Sequence, residues 1–363
     1  MAKKFKVGVL GATGMVGQNY VRLLEGHPWF EVTYVAASSN SAGVTYAEAV
    51  KGRWQMVSPI PSKVAKLKVG DVADIESAVK KCDFVFSAFE MPDKKLIQET
   101  EEAYARAGLP VVSNASAHRW TEDVPMLIPE INASHTDIIK TQQKNRGFKK
   151  GFIAVKPNCS LQSYLTPLYA LEEAGYEIKK VILTTMQAVS GAGYPGVPSL
   201  DMIDNIVPYI GGEEEKTEEE PKKILGSIKD GKFIKRTTID ISATCTRVPV
   251  IDGHTASVSV LFGNKKPTKE QILDIWQKFT STPQKFKLPF APLTPIHYTH
   301  EDNRPQPRKD RDSDKGMAVT VGRLRECNVF DFKFVALSHN TVRGAAGGGI
   351  LNAELLVKQG YIK

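Results

Sequence analysis

The stretch Gly11-Ala-Thr-Gly-Met-Val-Gly17 lies between two segments of different periodicity, and it decides the fold. Before it, Phe5-Lys-Val-Gly-Val-Leu10 is a short apolar run that predicts a buried strand. After it, apolar residues recur at helical spacing as far as Gly26. Glycines between a strand and a helix let backbone amides approach a pyrophosphate at the helix amino terminus. The sequence therefore predicts a dinucleotide-binding turn.

Strands and helices continue to alternate through the first 150 residues. Further strands are predicted at 31–37, 84–88, 109–113 and 152–155, with a helix at about 93–107. This alternation is typical of an α/β fold with a Rossmann-like, doubly wound parallel sheet. A helix that starts at Pro157 and runs to about Glu173 follows the last of these strands.

The pattern changes beyond residue 157. Long β-rich runs occupy 180–190, 237–250, 255–262 and 329–338, and only two helices are predicted among them, at about 199–210 and 268–280. Few helices between long strands indicate a mixed sheet and a second, α+β domain. We predict a cofactor-binding domain at 1–156, a catalytic and oligomerisation domain at 157–340, and a tail at 341–363 whose helix packs back on the first domain.

Composition excludes several classes of protein. The chain has 363 residues, 42% hydrophobic and 24% charged, and it contains no apolar run long enough to span a membrane. Its four cysteines are dispersed, without Cys-x-x-Cys pairs or zinc spacing. Glycines interrupt the apolar run near the amino terminus, which argues against a secretion signal. We expect a cytoplasmic protein with no metal site and no membrane partner.

The charge balance is basic. Forty-eight Lys and Arg against forty Asp and Glu give +8, with a pI near 9.1. Such a balance suits nucleic acid, a membrane surface or a small anionic ligand. The basic patch at 144–150 is the best candidate for nucleic acid, yet no nucleic-acid module or aromatic-interleaved basic stretch accompanies it. We predict no nucleic-acid partner, and we expect the charged segment 300–315 to be a solvated loop.

The end of the second strand distinguishes between cofactors. An NAD site usually has an Asp or Glu there for the ribose 2′-hydroxyl. Here the strand ends in Ala36-Ala-Ser-Ser-Asn-Ser41, with no acid before Glu48. The hydroxyls of Ser38, Ser39 and Ser41 can donate to a 2′-phosphate, which a carboxylate would repel. The cofactor is predicted to be NADP.

A cysteine and a histidine are the candidates for covalent catalysis. Cys159 follows Asn158 at a predicted helix start, where the Asn can cap the helix and the dipole favours thiolate. His254 follows Gly253 at a turn between two strands, and it is the most suggestive partner base. Arg247 lies seven residues upstream and could grip a carboxylate in the same cleft.

Six motifs in order resemble the aspartate-β-semialdehyde dehydrogenase family, particularly its fungal and archaeal branch. They cover essentially the whole chain: Gly-Ala-Thr-Gly-Met-Val-Gly at 11–17, Asn-Ala-Ser-Ala-His-Arg at 114–119, Lys-Pro-Asn-Cys-Ser at 156–160, Thr-Met-Gln-Ala-Val-Ser-Gly-Ala-Gly at 185–193, Arg-Val-Pro-Val-x-x-Gly-His at 247–254 and Asn-Thr-Val-Arg-Gly-Ala-Ala-Gly-Gly at 340–348. The resemblance implies NADP-linked interconversion of aspartyl phosphate and aspartate semialdehyde, an early step toward lysine, threonine and methionine.

The resemblance also implies a role for each matching residue. Cys159 matches the nucleophile, His254 the general acid/base, and Gln187 the residue that orients the acyl intermediate. Arg247 matches the α-carboxylate binder, Glu213 the group facing the substrate amine, and Lys216 and Arg119 the phosphate ligands. Glu214 or Glu215 could take the place of Glu213, because six glutamates lie between 213 and 220. The implied cofactor contacts are Gly11, Thr13, Gly14, Met15, Val16, Ser38, Ser39, Ser41, Ser87, Ser190, Gly191, Asn340 and Thr341.

Several alternatives stay open at this point. Malonyl-CoA reductase and N-acetylglutamyl-phosphate reductase share the Cys/His pair on a similar architecture, but the first needs no phosphate pocket and the second would not need Glu213. A nucleotide-sensing regulator on the same fold would be attractive only if Cys159 or His254 were replaced. The family forms homodimers or homotetramers, and the sequence does not choose between them.

Overall fold

Six parallel strands form the first sheet, and their order creates a crevice for a nucleotide. The computed structural model describes residues 3–263 and 265–363. The strands are β1 (Phe5–Leu10), β2 (Phe30–Ala37), β3 (Val69–Asp71), β4 (Phe84–Ser87), β5 (Val111–Ser113) and β6 (Ile153–Val155). They pair in the order β3-β2-β1-β4-β5-β6. The order reverses between β1 and β4, where ligands bind at the carboxyl ends of the strands in such folds. The Rossmann-like, doubly wound sheet is confirmed.

Helices connect these strands. They are α1 (Met15–Leu23), α2 (Tyr46–Ala49), α3 (Ser62–Ala65), α4 (Ile75–Lys81), α5 (Lys94–Arg106), α6 (Pro129–Asn132) and α7 (Ile138–Arg146). The helix α1 begins directly after the glycine-rich turn and buries Tyr20 and Val21 against the sheet. The helix α5 agrees with the predicted helix at 93–107 to within a residue at each end.

The second sheet is mixed, as predicted. Its strands are β7 (Ile178–Gln187), β10 (Asp240–Arg247), β11 (His254–Phe262), β12 (Ile296–Thr299), β13 (Val319–Glu326) and β14 (Phe332–Ser338), in the order β10-β7-β11-β14-β13-β12. A separate hairpin consists of β8 (Ser227–Lys229) and β9 (Lys232–Ile234). The remaining helices are α8 (Leu165–Glu173), α9 (Ser199–Met202), α10 (Glu213–Ile224), α11 (Lys269–Lys278), α12 (Thr282–Lys285), α13 (Pro307–Asp310), α14 (Ser313–Gly316) and α15 (Gly347–Lys358).

The helix predicted at 199–210 is wrong beyond its first turn. Ile203 is the C-terminal cap of α9. The next residue, Asp204, has a left-handed φ of 59°, which a right-handed helix cannot contain. Val207 then exchanges two backbone hydrogen bonds with Arg247, of 3.1 and 2.8 Å. The long helix of this region is α10, which lies in the acidic run. Three glutamates occupy its first turn, where the helix dipole favours negative charge.

The helix predicted from Pro157 to Glu173 is interrupted. A single 3-10 turn covers Ser160–Ser163, and α8 begins only at Leu165.

The segment 300–315 is more ordered than the solvated loop that the sequence predicts. Asp310 is 4% exposed, and it accepts a 2.7 Å hydrogen bond from Arg304 Nε and a 2.6 Å bond from the Gln306 N–H.

The carboxyl-terminal helix belongs to the hydrophobic core of the first sheet. In α15, Ile350, Ala353 and Leu356 are buried with Val7 and Val9 of β1. A five-residue π-helical turn, Val342–Ala346, joins β14 to α15. A second core cluster covers the opposite face of the first sheet and continues into the second sheet through α8.

Candidate active site

The three glycines of the first turn have different surroundings. Gly11 has φ 77°, and a Cβ there would lie 2.5 Å from the Ala88 carbonyl oxygen. A Cβ on Gly17 would lie 2.2 Å from the Gly11 carbonyl oxygen. Both positions are therefore closed by the backbone of the protein itself. Gly14 is exposed, and the nearest atom to a Cβ there is 3.5 Å away, which leaves room for a ligand to approach.

The surface beside this turn suits a 2′-phosphorylated dinucleotide. Thr13, Met15 and Val16 are partly exposed, and α1 has no side-chain cap on its first N–H groups. The N–H groups of Gly11 and Ala12 both donate to the Ala36 carbonyl, which brings the end of β2 against the turn. The serines that follow β2 are solvent-accessible: Ser38 and Ser39 are exposed and Ser41 is half-buried. Glu48 is the N3 residue of a capping box with Thr45 in α2.

The structure brings Cys159 and His254 together from two parts of the chain. The distance from Cys159 Sγ to His254 Nε2 is 3.3 Å. His254 begins β11 directly after Gly253, whose φ of 107° makes the turn into the strand. The Ala188 N–H donates to His254 Nδ1 at 3.1 Å. A neutral imidazole that accepts at Nδ1 carries its proton on Nε2, so an N–H faces the sulfur.

Burial favours the neutral forms of both side chains. It lowers the pKa of His254 to about 3, and the positive charges of Arg247, His339 and Lys156 act in the same direction. Burial also raises the pKa of the Cys159 thiol, with Glu213 adding to the shift. The prediction that a helix start would favour thiolate is wrong, because one 3-10 turn replaces the helix and desolvation outweighs the nearby cations. The predicted helix cap by Asn158 is not formed: Cys159 occupies the cap position of the 3-10 turn, and Asn158 Oδ1 instead accepts from the Ser160 N–H, two residues on, at 2.8 Å.

Glu213 is the acidic residue that faces the site. Both of its carboxylate oxygens lie 2.9 Å from Asn158 Nδ2, and Gln187 Nε2 donates to one of them at 3.2 Å. Lys216 Nζ, one turn along α10, lies 2.9 Å from Glu213 Oε1. Burial raises the pKa of Glu213, but Lys216 and the hydrogen bonds outweigh it, so the net shift is downward and the carboxylate stays ionised.

The neighbouring glutamates point elsewhere. Glu214 Oε1 accepts from the Cys245 N–H of β10 at 3.1 Å, whereas Glu215 is exposed. Of the first three glutamates of α10, Glu213 is therefore the one that reaches the loop that carries Cys159.

Arg247 lies at the end of β10 beside the Cys/His pair. It is 7% exposed, and its Nη1 donates to the Ala188 carbonyl at 2.9 Å. Gly191 packs closely against both Arg247 and His254. A Cβ at this position would lie 2.8 Å from Arg247 Nη1 and 3.2 Å from His254 Cε1. The guanidinium is therefore held beside the imidazole, with further N–H groups to offer a carboxylate.

Arg119 reaches the same region from the first sheet, and most of its donors are in use. Its Nη1 donates to Glu220 at 2.8 Å and its Nε to the Lys156 carbonyl at 3.1 Å. A longer bond of 3.4 Å joins Nη2 to the Asn114 carbonyl. Two N–H groups of the five remain for a ligand.

The predicted cofactor contact Ser87 is buried away from the surface. The residue is 0% exposed, and its hydroxyl donates to Glu101 at 2.5 Å. Ser113 donates to the same carboxyl oxygen, also at 2.5 Å. The Ser87 hydroxyl therefore ties β4 to α5 and does not face the crevice, because Glu101 lies beneath the sheet edge.

Asn340 and Ser190 connect the loops around the histidine. Asn340 Nδ2 donates to Ser190 Oγ at 2.8 Å, while its Oδ1 accepts from the Gly253 N–H at 2.8 Å. Asn340 is 2% exposed, so it holds the residue before His254 in place. Its neighbour Thr341 is also buried and lies 3.3 Å from His339 Nδ1.

Sequence reasoning missed three groups that build the site. The Ala188 backbone contacts both His254 and Arg247, and nothing in an alanine signals such a role. The Asn158 side chain donates to Glu213 as well as accepting from the Ser160 N–H. Glu220 is fully buried, accepting from Arg119 and from the Asn158 N–H. It lies seven residues after Glu213, two turns along α10, and that helical periodicity could have identified it.

Residues 3–263 and 265–363 contain no group of three or more His, Cys, Asp or Glu side chains that could hold a metal ion. None of their helices combines the length and the apolar character needed to cross a bilayer.

Comparison with known families gives one consistent result. A model described as "Semialdehyde dehydrogenase, NAD binding domain" matches residues 6–139, and "Semialdehyde dehydrogenase, dimerisation domain" matches residues 165–343. The aspartate-semialdehyde dehydrogenase of Schizosaccharomyces pombe is 45% identical over 361 residues, covering 98% of this chain and 99% of that protein. The enzyme of the same name from Methanothermobacter thermautotrophicus is 47% identical over 352 residues, covering 96% and 98%.

A solved structure is similar over the same length. The aspartate semialdehyde dehydrogenase from Candida albicans, crystallised with NADP, has a TM-score of 0.90 and 41% identity, covering 99% of this chain and 100% of that one. The resemblance carried by the six motifs is confirmed, with both fungal and archaeal relatives. On this evidence the chain belongs to the aspartate-semialdehyde dehydrogenase family.

Proposed function

We propose that this protein catalyses the reversible, NADP-dependent conversion of L-aspartyl-4-phosphate to L-aspartate-4-semialdehyde through a thioester on Cys159. This step serves the biosynthesis of lysine, threonine and methionine. The observation that carries the proposal is the 3.3 Å pairing of Cys159 Sγ with His254 Nε2 beside Glu213 and Arg247. Aspartate-semialdehyde dehydrogenases from fungi and archaea, 45% and 47% identical, support it.

The crevice at the carboxyl ends of β1 and β4 fits NADP. Gly14 leaves space for the pyrophosphate, and the exposed hydroxyls of Ser38 and Ser39 suit a 2′-phosphate. The Candida albicans relative is crystallised with NADP. The cofactor supplies or accepts the hydride at the acyl carbon. Ser190 and Gly191, beside His254, and Thr13, Met15 and Val16, at the start of α1, are further proposed contacts for the cofactor.

The side chains hold the two ends of the substrate. Arg247 offers its remaining N–H groups to the α-carboxylate, and the ionised Glu213 faces the substrate ammonium. Lys216 and Arg119 offer positive charge to the phosphate. With both ends fixed, the β-acyl carbon lies against Cys159 Sγ, and such orientation is a large part of catalysis.

Covalent chemistry then passes through the sulfur. In the biosynthetic direction, Cys159 Sγ forms a bond to the acyl carbon as the carbon–oxygen bond to phosphate breaks, and the thiol proton leaves with the phosphate, as hydrogen phosphate, toward Lys216. Gln187, held between Thr185 and Glu213, lies beside the resulting thioester. After reduction, the carbon–sulfur bond breaks and the aldehyde leaves. The Nε2–H of His254 faces the sulfur and donates a hydrogen bond to it. As the carbon–sulfur bond breaks, His254 passes this proton to the sulfur and takes one from solvent, so that the thiol and the neutral imidazole are both restored.

An enzyme assay tests this proposal. With aspartate semialdehyde, phosphate and NADP, wild-type protein is expected to form NADPH only when all three are present. Cys159→Ser should lower turnover by roughly 10³-fold or more, because the nucleophile is lost. Cys327→Ser, at a partly buried cysteine of the second sheet, is the matched control and should retain turnover. Phosphate-independent NADPH formation, or an active Cys159→Ser, would contradict the proposal.

The assay in the reverse direction, which follows oxidation of NADPH, separates the alternatives. Malonyl-CoA and N-acetylglutamyl phosphate should support no oxidation of NADPH. The ion pair between Glu213 and Lys216, which suits an ammonium next to a phosphate, disfavours both as substrates.

We also propose that the protein is a homodimer or a dimer of dimers. The segment from α9 to Tyr209 exposes a row of large apolar residues, which monomers rarely do. The exposed fractions are 86% for Leu200, 68% for Ile203, 59% for Ile206 and 68% for Tyr209. The family model that matches 165–343 is described as a dimerisation domain. A second copy of the chain is thus the proposed partner of this surface.

Light scattering after size exclusion tests the oligomer. Wild type should have at least twice the monomer mass of 40.0 kDa. Ile203→Asp is expected to shift the population toward monomer, whereas Leu293→Asp, also at an exposed apolar residue, should not. A monomeric wild type would reject the proposed interface.

The four cysteines are all free, which supports the proposed cytoplasmic location, since cytosolic thiols stay reduced.

A further inference from the structure

The helix α10 carries two buried charged residues beyond those that face the substrate. Glu213 and Lys216 lie in its first turn, and Glu220 and Lys223 follow one to two turns later on the same side. Glu220 is 0% exposed and Lys223 is 4% exposed. Buried charges are costly unless they are paired, so their partners show what they hold.

Glu220 joins two loops that follow β5 and β6, neighbouring strands of the first sheet. Its Oε1 accepts from Arg119 Nη1 at 2.8 Å, and its Oε2 accepts from the Asn158 backbone N–H at 2.6 Å. Asn158 directly precedes the nucleophile, and Arg119 is the proposed phosphate ligand. One carboxylate therefore fixes the distance between the phosphate pocket and the reacting sulfur.

The Lys223 side chain binds the main chain of Arg119 and of the residues that follow it. Its Nζ donates to three carbonyl oxygens, of Arg119 at 2.7 Å, of Val124 at 2.9 Å and of Thr121 at 3.0 Å. The loop that carries Arg119 is thus anchored to α10 at its side chain and at its main chain. Glu213 meanwhile accepts from the Asn158 side chain, so residues of α10 hold both loops in place.

We propose that Glu220 is a positioning residue that aligns the phosphate-binding Arg119 with Cys159. It touches neither the substrate nor the cofactor, and it acts through Arg119 and through the Asn158 backbone. The inference rests on the proposed function in one respect, the assignment of Arg119 to phosphate. A carboxylate is required because both partners are donors. An amide of the same size has one acceptor oxygen and an NH₂ group, so it can satisfy only one of them.

The first experiment compares Glu220→Gln with Glu219→Gln. Glu219 is the neighbouring residue of α10, partly exposed and paired with Lys222 and Lys235. Glu220→Gln is expected to raise the KM for inorganic phosphate about tenfold or more, since losing a buried, charge-assisted hydrogen bond has an effect of that size. The KM for aspartate semialdehyde should change far less. Glu219→Gln should leave both constants within about twofold of wild type.

A merely structural role would give a different pattern. If Glu220 only stabilised the fold, the variant would lose active protein without a selective change in the KM for phosphate. A folded Glu220→Gln variant with wild-type KM for phosphate would therefore overturn the proposal.

A second pair of variants covers the case in which Glu220→Gln does not fold. Arg119→Met with Glu220→Gln removes both charges together, which a buried site tolerates better than losing one. Phosphate binding is measured by the protection that phosphate gives Cys159 against alkylation by iodoacetamide. The alkylation is followed on the peptide that contains Cys159, so the measurement does not require turnover. The double variant should be protected no less than Arg119→Met alone, because Glu220 acts on phosphate through Arg119. A further tenfold loss of protection in the double variant would overturn the proposal.

Failure of the proposed function has a separate signature. If phosphate does not protect wild-type Cys159 and does not stimulate NADPH formation, the assignment of Arg119 and Lys216 to phosphate is rejected. The tie between Glu220 and the Asn158 N–H is then still tested by the alkylation rate of Cys159, which Glu220→Gln should change and Glu219→Gln should not.

Discussion

At the scale of single residues, one backbone position holds the proposed acid/base group and the proposed carboxylate-binding group together. The Ala188 N–H donates to His254 Nδ1, and the Ala188 carbonyl accepts from Arg247 Nη1. The imidazole tautomer and the guanidinium orientation therefore depend on the register of the loop after β7. A shift of that loop would change both groups at once, although neither side chain is altered.

Gly191 gives a direct test of this dependence. Its φ lies outside the left-handed region, so Ala fits the backbone, but the added Cβ would lie 2.8 Å from Arg247 Nη1 and 3.2 Å from His254 Cε1. Gly191→Ala should lower kcat/KM for aspartate semialdehyde by about 10²-fold, as small displacements of catalytic groups do. Thermal stability should stay near that of wild type. Ala192→Ser, at the exposed next residue, is the control, and an unchanged kcat/KM in Gly191→Ala would refute the argument.

Glu101 predicts a pH dependence of stability. Burial raises the pKa of its carboxyl to about 7, above its ordinary value of 4.5, and the hydrogen bonds from Ser113 and Ser87 only partly oppose this. His118 lies 3.9 Å away, but burial lowers its pKa, so it does not supply a compensating charge at neutral pH. The folded state therefore holds a proton that the unfolded chain releases. Stability from this group is complete below pH 4.5 and is lost as the pH rises through 7.

Urea unfolding at pH 5 and pH 8 measures this effect against Glu101→Gln, which keeps an acceptor for both serines. Relative to the variant, wild type should lose about 3 kcal/mol of unfolding free energy over that range. A constant difference between the two proteins across the range would contradict a raised pKa. The measurement is made without NADP, so that ligand binding does not contribute.

At the scale of elements, α10 contains a proline and still runs for twelve residues. Pro221 has no N–H to donate to the carbonyl of Thr217, four residues earlier. Instead, the buried Tyr164 hydroxyl donates to that carbonyl at 3.1 Å. The defect in the helix is thus repaired from the segment that leads into α8, next to the cysteine loop.

Tyr164→Phe should therefore destabilise the protein without creating a cavity. The Thr217 carbonyl would be left buried and unpaired, which costs about 1–3 kcal/mol. Chemical denaturation measures the loss, with Tyr169→Phe in α8 as the control at a partly exposed tyrosine. Equal stability of the two variants would show that the hydrogen bond contributes nothing.

Local patterns predicted some elements well and others poorly. The strand, glycine turn and helix at 5–23 follow from periodicity, because each has a distinct signal. The helix expected at 199–210 failed because Asp204 and the pairing of Val207 with Arg247 are tertiary effects. The strands β12 and β13 were missed, although Val319-Thr-Val321 is a β-branched run. The three-residue β3 is too short to have a period.

The candidate site was predictable as a set of residues but not as a geometry. Cys159 and His254 are 95 residues apart, and no spacing fixes their 3.3 Å approach. The thiolate prediction failed because a sequence does not show how much desolvation opposes a helix start. Glu220 was hidden within an acidic run whose ordinary interpretation is a solvated helix face.

At the scale of the whole molecule, charged pairs link the first sheet to the second around the site. Arg119 pairs with Glu220, and Arg343 after β14 pairs with Glu130 of α6 at 2.7 Å. Each pair is nearly inaccessible to solvent. The net charge of +8 is thus mostly a property of the surface, and the site depends on a few matched charges in its interior.

The packing of α15 has a consequence for synthesis on the ribosome. One face of the first sheet, including Val7 and Val9, is covered by Ile350, Ala353 and Leu356. These covering residues are translated more than 300 positions after the strand they protect. Throughout that interval the part of this face that α15 covers is open in the nascent chain, although Tyr20 and Val21 of α1 already pack on the same face, and such open apolar surface is where chaperones or transient contacts act. A chain that stops at residue 346 should bind a hydrophobic dye that the full chain does not, and the absence of such binding would contradict this consequence.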